Sequence, residues 1–183
     1  MKRAFTLIEL LVVVAIISIL AAIAVPNFME AQVRSKVSRS RTDMRSLATA
    51  LESYAVDNNR YAANFEYGGE RLTPNAFTTP IPYMTSLPND PFRATVPDVL
   101  KRRYDYHNVR DLVEDGARNW PPNDLRRYGH WRFAGYGPQA AYLPWVPYDA
   151  TNGTMSEGNI LRTQLSPEGR VMYNFWDPGN PFL

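Results

Sequence analysis

Residues 5–25 read FTLIELLVVVAIISILAAIAV, and nothing else in this chain of 183 residues restricts its folding so strongly. Glu9 is the sole charge in the run, and Thr6 and Ser18 are its other polar side chains. A helix of that length rises roughly 30 Å, which is the thickness of a bilayer's hydrocarbon core. Fourteen of its side chains are Leu, Ile, Val or Phe. They supply roughly −6 kcal/mol of insertion free energy against about +3 kcal/mol for a carboxylate near one end, so insertion wins. Lys2 and Arg3 precede the run and the next basic residue is Arg34, which predicts a cytoplasmic N-terminus with the remainder across the membrane.

A secretory signal peptide is the competing reading, with Leu10 to Leu20 as its apolar region and Ala22-Ile23-Ala24 as its cleavage site. An acid inside the charged region and a helical pattern that continues across the supposed cut both oppose it.

Lys2-Arg3-Ala4-Phe5-Thr6-Leu7-Ile8-Glu9-Leu10, leading into an unbroken apolar helix, resembles the start of type IV prepilins and type II secretion pseudopilins. The resemblance implies cleavage between Ala4 and Phe5 by a prepilin peptidase, which also methylates the new α-amine of Phe5. Glu9 becomes the fifth residue of the mature chain, and the resemblance pairs it with the Phe5 amine of a neighbouring subunit during assembly. Ala4 stands where the family usually carries glycine, and Pro26 where such helices often carry a proline.

The resemblance further implies an α+β, pilin-like fold, with one long N-terminal helix packed on a small antiparallel sheet. It also implies a structural subunit, not an enzyme, that polymerises through its N-terminal helix into the pseudopilus of a type II secretion-like system. Its partners would be further copies of itself, the prepilin peptidase, an inner-membrane assembly platform and membrane lipid, with the C-terminal domain on the periplasmic side. The alternatives are a minor or surface type IV pilin for adhesion or DNA uptake, and a secreted or signal-anchored binding domain.

The chain divides into a leader over 1–4, a transmembrane helix over 5–25, an amphipathic helix over 26–61 and a loop-rich β domain over 62–183. Twenty Lys and Arg face 18 Asp and Glu, and loss of Lys2 and Arg3 leaves that balance even, so no polyanion partner is implied. With no cysteine, disulfides and thiolate chemistry are excluded and stability must come from packing.

Val33, Val37, Met44, Leu47, Leu51 and Tyr54 recur at intervals of three, four and seven, which predicts that the helix continues to about Asp57 and packs on its own domain. Pro26 removes one backbone hydrogen bond and predicts a kink near Ala22 to Pro26. Asn58 and Asn59 suit a helix end in left-handed geometry. The glycines and prolines of 62–97 predict a loop-like stretch without long regular elements, and Leu87-Pro88-Asn89-Asp90-Pro91-Phe92 resembles the turn that leads into the pseudopilin sheet. Asp90 before a proline can close an Asx turn there. Three or four strands are expected, drawn from Arg103 to His107, His130 to Tyr136, Asn159 to Leu165 and Val171 to Trp176, with a turn over Ser166 to Gly169. Asn108 to Leu125 reads as an insertion with one short helix over Val109 to Val113.

No catalytic motif is present. His107 and His130 are expected at strand ends, and the abundant Tyr and Trp in the core rather than on a sugar-binding surface. Two basic clusters, Lys101-Arg102-Arg103 and Arg126-Arg127 with Arg132, are interleaved with acids, so nucleic-acid binding is not expected. Residues 148–160 resemble the C-terminal loop of the major pseudopilin, which in many members binds calcium. Asp149, Asn152, Ser156, Glu157 and Asn159 are the candidate ligands; Asx turns without a metal are the alternative.

Overall fold

A computed structural model describes residues 6–117, 123–139, 146–151 and 156–167. One helix, α1, runs through 52 residues from Leu7 to Asn58 with Pro26 inside it. Thr6 caps its start and Asn59 ends it in the left-handed conformation, with φ 54° and ψ 20°. That end falls where the paired asparagines predict it.

The helix has two characters. Its second half buries Val37, Ser40, Met44, Leu47, Ala48 and Leu51 on one face, as the apolar spacing predicts. Ser40 lies in the buried face too, so this half packs on its own domain. Facing it are Tyr104, Tyr106, Trp131, Phe133 and Ile160 of the sheet and Phe77 from the connecting loop, all in one cluster. Full burial of a Leu or Phe side chain is worth about 1.5–3 kcal/mol. Among the described residues the aromatics of this cluster are core, with Tyr106 and Phe133 rings 5.1 Å apart.

The sheet is an antiparallel meander of five strands in sequence order: β1 Phe65–Tyr67, β2 Glu70–Leu72, β3 Asp105–Asn108, β4 Trp131–Gly135 and β5 Ile160–Thr163. Tyr106 lies opposite Phe133, and Phe133 opposite Arg162, so β4 is paired along both edges, by β3 and β5. Two short helices, α2 Val109–Glu114 and α3 Asn123–Tyr128, follow β3 and precede β4.

Two expectations, on Asn108 to Leu125 and on His107, need correction. The 62–97 stretch holds only short elements, as its glycines and prolines predict: Gly68 and Gly69, with φ of 56° and 81°, turn β1 back on β2. Such paired positive angles make the two-residue hairpin loop, and glycine adopts them without the Cβ clash. The Asn108 to Leu125 insertion holds the start of α3 as well as α2. His107 is the third residue of β3 and buried, not a strand-end side chain, whereas His130 does stand exposed just ahead of β4. The expected strand Val171 to Trp176, and Glu168 and Gly169 of the expected turn, lie outside the described residues.

Candidate assembly site

The first half of α1 is uncovered. Leu7 is 81% exposed, Ile16 53% and Phe28 64%, in a helix whose Leu47 and Leu51 are fully buried. No described residue of the chain packs over this apolar cylinder, so a bilayer or other helices must cover it. Its apolar stretch is long enough to cross a membrane.

At its tip Thr6 and Glu9 form a capping box. The Thr6 amide donates to Glu9 Oε2 at 2.8 Å, the Thr6 hydroxyl donates to the same oxygen at 2.6 Å, and the Glu9 amide donates to Thr6 Oγ1 at 3.3 Å. Local physics thus gives Glu9 a partner within its own helix, satisfying first-turn N–H groups that would otherwise be orphaned. All of these bonds leave Glu9 Oε1 aside. Ala4 and Phe5 lie outside the described residues. Pro26 sits in mid-helix, where it leaves the Ala22 carbonyl without its intrahelical donor.

Three acids fasten the globular domain. Trp131 Nε1 donates to Glu52 Oε1 at 2.7 Å and the Tyr61 hydroxyl to Glu52 Oε2 at 3.1 Å. Tyr104 donates to Asp43 Oδ2 at 3.0 Å, so two acids of α1 reach across to sheet aromatics. The third is Asp90, fully buried in the Leu87 to Phe92 turn. It closes the expected Asx turn by accepting the Phe92 amide at 2.9 Å, and also accepts the Tyr136 amide at 2.6 Å. Burial pushes the Asp90 carboxyl up to about 6, against the lowering effect of those two amides and Arg93. Arg93 itself is buried in a two-pronged pair with Glu70, at 2.6 and 3.2 Å, and stacks over the Tyr136 ring.

The back of the sheet is polar yet buried. Asp105 and His107 on β3 and Arg132 on β4 are all buried, with His107 Nδ1 3.3 Å from Asp105 Oδ2. Burial first, then the guanidiniums of Arg132 and Arg71, hold His107 well below the usual histidine range, so it is neutral at pH 7. Tyr128 of α3 stacks on Arg132 and covers this face. Of the basic clusters, Arg102 bonds the Val96 carbonyl, Arg103 bonds Thr73 and Asn75, and Lys101 pairs with Glu70, so all three bind the chain's own loops.

The described part of the 149–159 loop is hydrogen-bonded within the chain. Asp149 Oδ1 accepts both the amide and the hydroxyl of Thr151, at 2.8 and 2.7 Å, and the Asp149 amide donates to Ser156 Oγ at 3.0 Å. Asn159 is buried with its amide donating to the Gly135 carbonyl at 3.0 Å, and Glu157 is exposed. Calcium takes about six to eight oxygens. Among the described residues no three of His, Asp and Glu gather as a metal-binding group, and Asn152 lies outside them.

Residues 1–25 match the family described as the prokaryotic N-terminal methylation motif, and residues 27–110 match type II secretion system protein G. The chain is 38% identical over 137 residues to the type II secretion system core protein G of Pseudomonas aeruginosa, covering 71% of this chain and 95% of that one. The chain belongs to the type II secretion system core protein G family. It is also 36% identical over 98 residues to core protein G of Pectobacterium carotovorum subsp. carotovorum, over 50% of this chain and 62% of that relative. To the type IV major pilin protein PilA of Myxococcus xanthus it is 55% identical, but over 61 residues, 33% of this chain and 28% of PilA. No solved structure is significantly similar. The two family segments flank Pro26, which lies within the uncovered stretch of α1, and the core protein G segment reaches the first turn of α2. β4, β5 and the loop of 146–159 lie beyond it.

Proposed function

We propose that this chain is a structural subunit of a pseudopilus, made as a membrane-anchored precursor, cut between Ala4 and Phe5, methylated on Phe5 and polymerised through α1. The observation that carries this reading is the division of one continuous helix: residues near Leu47 and Leu51 are sealed in the domain core, while those from Leu7 to Met29 stand bare. A soluble enzyme domain has no use for such an uncovered apolar rod. In the precursor it sits in the inner membrane with the globular domain outside the cytoplasm, and Lys2 and Arg3 hold the N-terminus inside. In the filament, rods from other copies replace the lipid. Glu9 pairs there with the Phe5 amine of a neighbouring copy, which ties entry into the filament to one axial register. Pro26 is where the rod bends to meet its neighbours.

No catalytic role is assigned, and the Asx turn of Asp149 with Thr151 supports reading this loop without an ion. The match to PilA lies in a short stretch and supports shared assembly chemistry more than a surface pilus. Mass spectrometry of the N-terminus of chain recovered from membranes tests the reading. A mature chain starting at methylated Phe5 supports it, and one starting at Val25 overturns it in favour of a secretory signal.

A further inference from the structure

We propose that successive copies of this chain dock head to tail through two patches of opposite charge, the arginine groove beside α1 on one copy and the acidic tip of α2 on the next. The proposal rests on the filament reading and adds a contact outside the apolar rod. The groove, of 430 Å³, lies between α1 and residues 148–150, with Arg34, Arg41 and Arg45 along it, Val37 in its floor and Tyr148 in its wall. Arg34 is engaged by Glu30, one turn below. Arg41 and Arg45 are exposed and have no ion pair among the described residues. Arg162 of β5 adds a fourth guanidinium nearby, its pKa lowered by burial and by the charge of Arg45. Among the described residues, Arg41 and Arg45 thus leave the groove with a positive charge that no acid pairs.

The opposite imbalance sits at the far end of the molecule. Asp111, Glu114 and Asp115 cluster on and just after α2, a helix with no basic residue in its last turn. Acids at a helix C-terminus oppose the helix's own partial charge. The Asp111 carboxyl is raised by burial and then by its neighbours Asp115 and Glu114. Arg110 pairs with Glu114 at 2.8 Å, and Asp115 stays exposed at the tip.

Position along α1 selects the partner. Asn108 ties α2 to Ala62 and Asn64, at 3.1 and 2.8 Å, just past the end of α1 at Asn58. Arg41 precedes that end by seventeen residues, which is about 25 Å of helix. A copy shifted outward by about 25 Å therefore sets its groove beside the tip of the copy below. The contact uses different patches on the two copies and does not close on itself under an axial shift, so it propagates as a filament. Lipid headgroups fit poorly as the occupant. Arg34 stands about 13 Å beyond Val25 and Arg41 about 24 Å, whereas the headgroup layer is only about 5–7 Å deep. The groove also continues the bare face that ends near Met29, the face that other copies cover in the filament.

The chain has no cysteine, so Arg41→Cys and Asp115→Cys add its only thiols. The full chain carrying both, expressed with its assembly machinery and oxidised in sheared filaments, should give a ladder of disulfide-linked multimers, and either single variant should stay monomeric. Arg41→Glu with Arg45→Glu should lower filament yield by about tenfold or more, and adding Glu114→Lys with Asp115→Lys should restore it. Wild-type filaments without a ladder in the double-cysteine chain overturn the docking. So do undiminished filaments from the charge-reversed chain, and if that chain loses bound phosphatidylglycerol the groove belongs to lipid. Absence of filaments from the wild type is a separate failure: it removes the filament reading and this contact with it.

Discussion

The amide of Tyr136 donates to Asp90 Oδ2 at 2.6 Å across 46 positions of sequence. The other oxygen of the same carboxylate closes the turn that Asp90 itself begins, through the Phe92 amide. One buried acid thereby joins the loop that leaves α1 to the residue just past the end of β4. Removing it orphans two buried donors, each worth about 1–3 kcal/mol when left unpaired. Asp90→Ala should destabilise the domain by about 2–4 kcal/mol in chemical denaturation of the detergent-solubilised chain, with the fold of the remaining protein intact.

The same residue gives a pH signature. Its folded pKa is raised to about 6, above the ordinary carboxylate value, so the folded chain holds this proton more tightly than the unfolded one. The stabilisation is complete below the unfolded value, near 4, and is lost as pH rises through about 6. His107 works in the opposite sense: its pKa is lowered, so its contribution falls as pH drops through the unfolded histidine range. The difference in melting temperature between wild type and Asp90→Asn isolates the first effect. It should change between pH 4 and 7 and level off above, and a flat difference would show that the two amides, not burial, govern the carboxyl.

Glu52 holds Trp131 of β4 and Tyr61 from opposite oxygens, and Tyr61 in turn accepts from Gln164. This network fixes the angle between α1 and the sheet. Glu52→Ala should cost about 1.5–3 kcal/mol, and Glu52→Gln less, because an amide oxygen still serves one donor while its NH₂ faces the other. Urea midpoints at constant m-value would establish both.

These fasteners divide by how far sequence can reveal them. The helix, its Asn59 end and the Asx turn at Asp90 are legible because each is a local matter: spacing of three and four, an asparagine after the last apolar residue, an acid before a proline. β1 and β2 have three residues each, too short to show alternation, and only Gly68-Gly69 hints at a hairpin. Alternation places Arg132 on the face away from Trp131 and Phe133, as the structure has it, yet that face is buried beneath Tyr128. Period two tells which residues share a face and is silent on what covers it. The second bond of Asp90, to Tyr136, joins segments far apart in sequence, and no pattern in one chain announces it. Glu9 stands out in the sequence as an anomaly, an acid in an apolar helix, and that prominence hides its second role: Thr-x-x-Glu also spells the capping box with Thr6.

The 149–159 loop offers a metal test. Asp149 spends Oδ1 on Thr151, and Asn159 turns its amide to Gly135. A calcium ion at a hundred times its dissociation constant would add about 2.7 kcal/mol of stability. The chain should instead melt at the same temperature in chelator and in millimolar calcium. A rise on adding calcium would show that residues beyond Asp149 and Glu157 complete an ion site here.

Glu9 has two candidate roles that the structure allows to be separated. Its carboxylate serves the capping box through Oε2, bound to Thr6 at 2.8 and 2.6 Å. Capping of this kind is worth about 0.5–2 kcal/mol, a modest gain for a helix already held by a bilayer or by neighbours. Assembly asks for the charge itself, since a carboxylate buried among apolar rods is tolerable only beside a cation, and no Lys or Arg lies between Phe5 and Arg34. Under the proposed reading, the mature Phe5 amine of another copy is that cation. Thr6→Val breaks the box and keeps the charge; Glu9→Gln keeps the shape and removes the charge. If the charge drives assembly, Glu9→Gln and Glu9→Val chains should fractionate with the membrane and be missing from sheared filaments, while Thr6→Val filaments persist. Equal loss in Thr6→Val and Glu9→Gln would reduce Glu9 to a helix cap, and normal filaments from Glu9→Val would leave it no part in assembly.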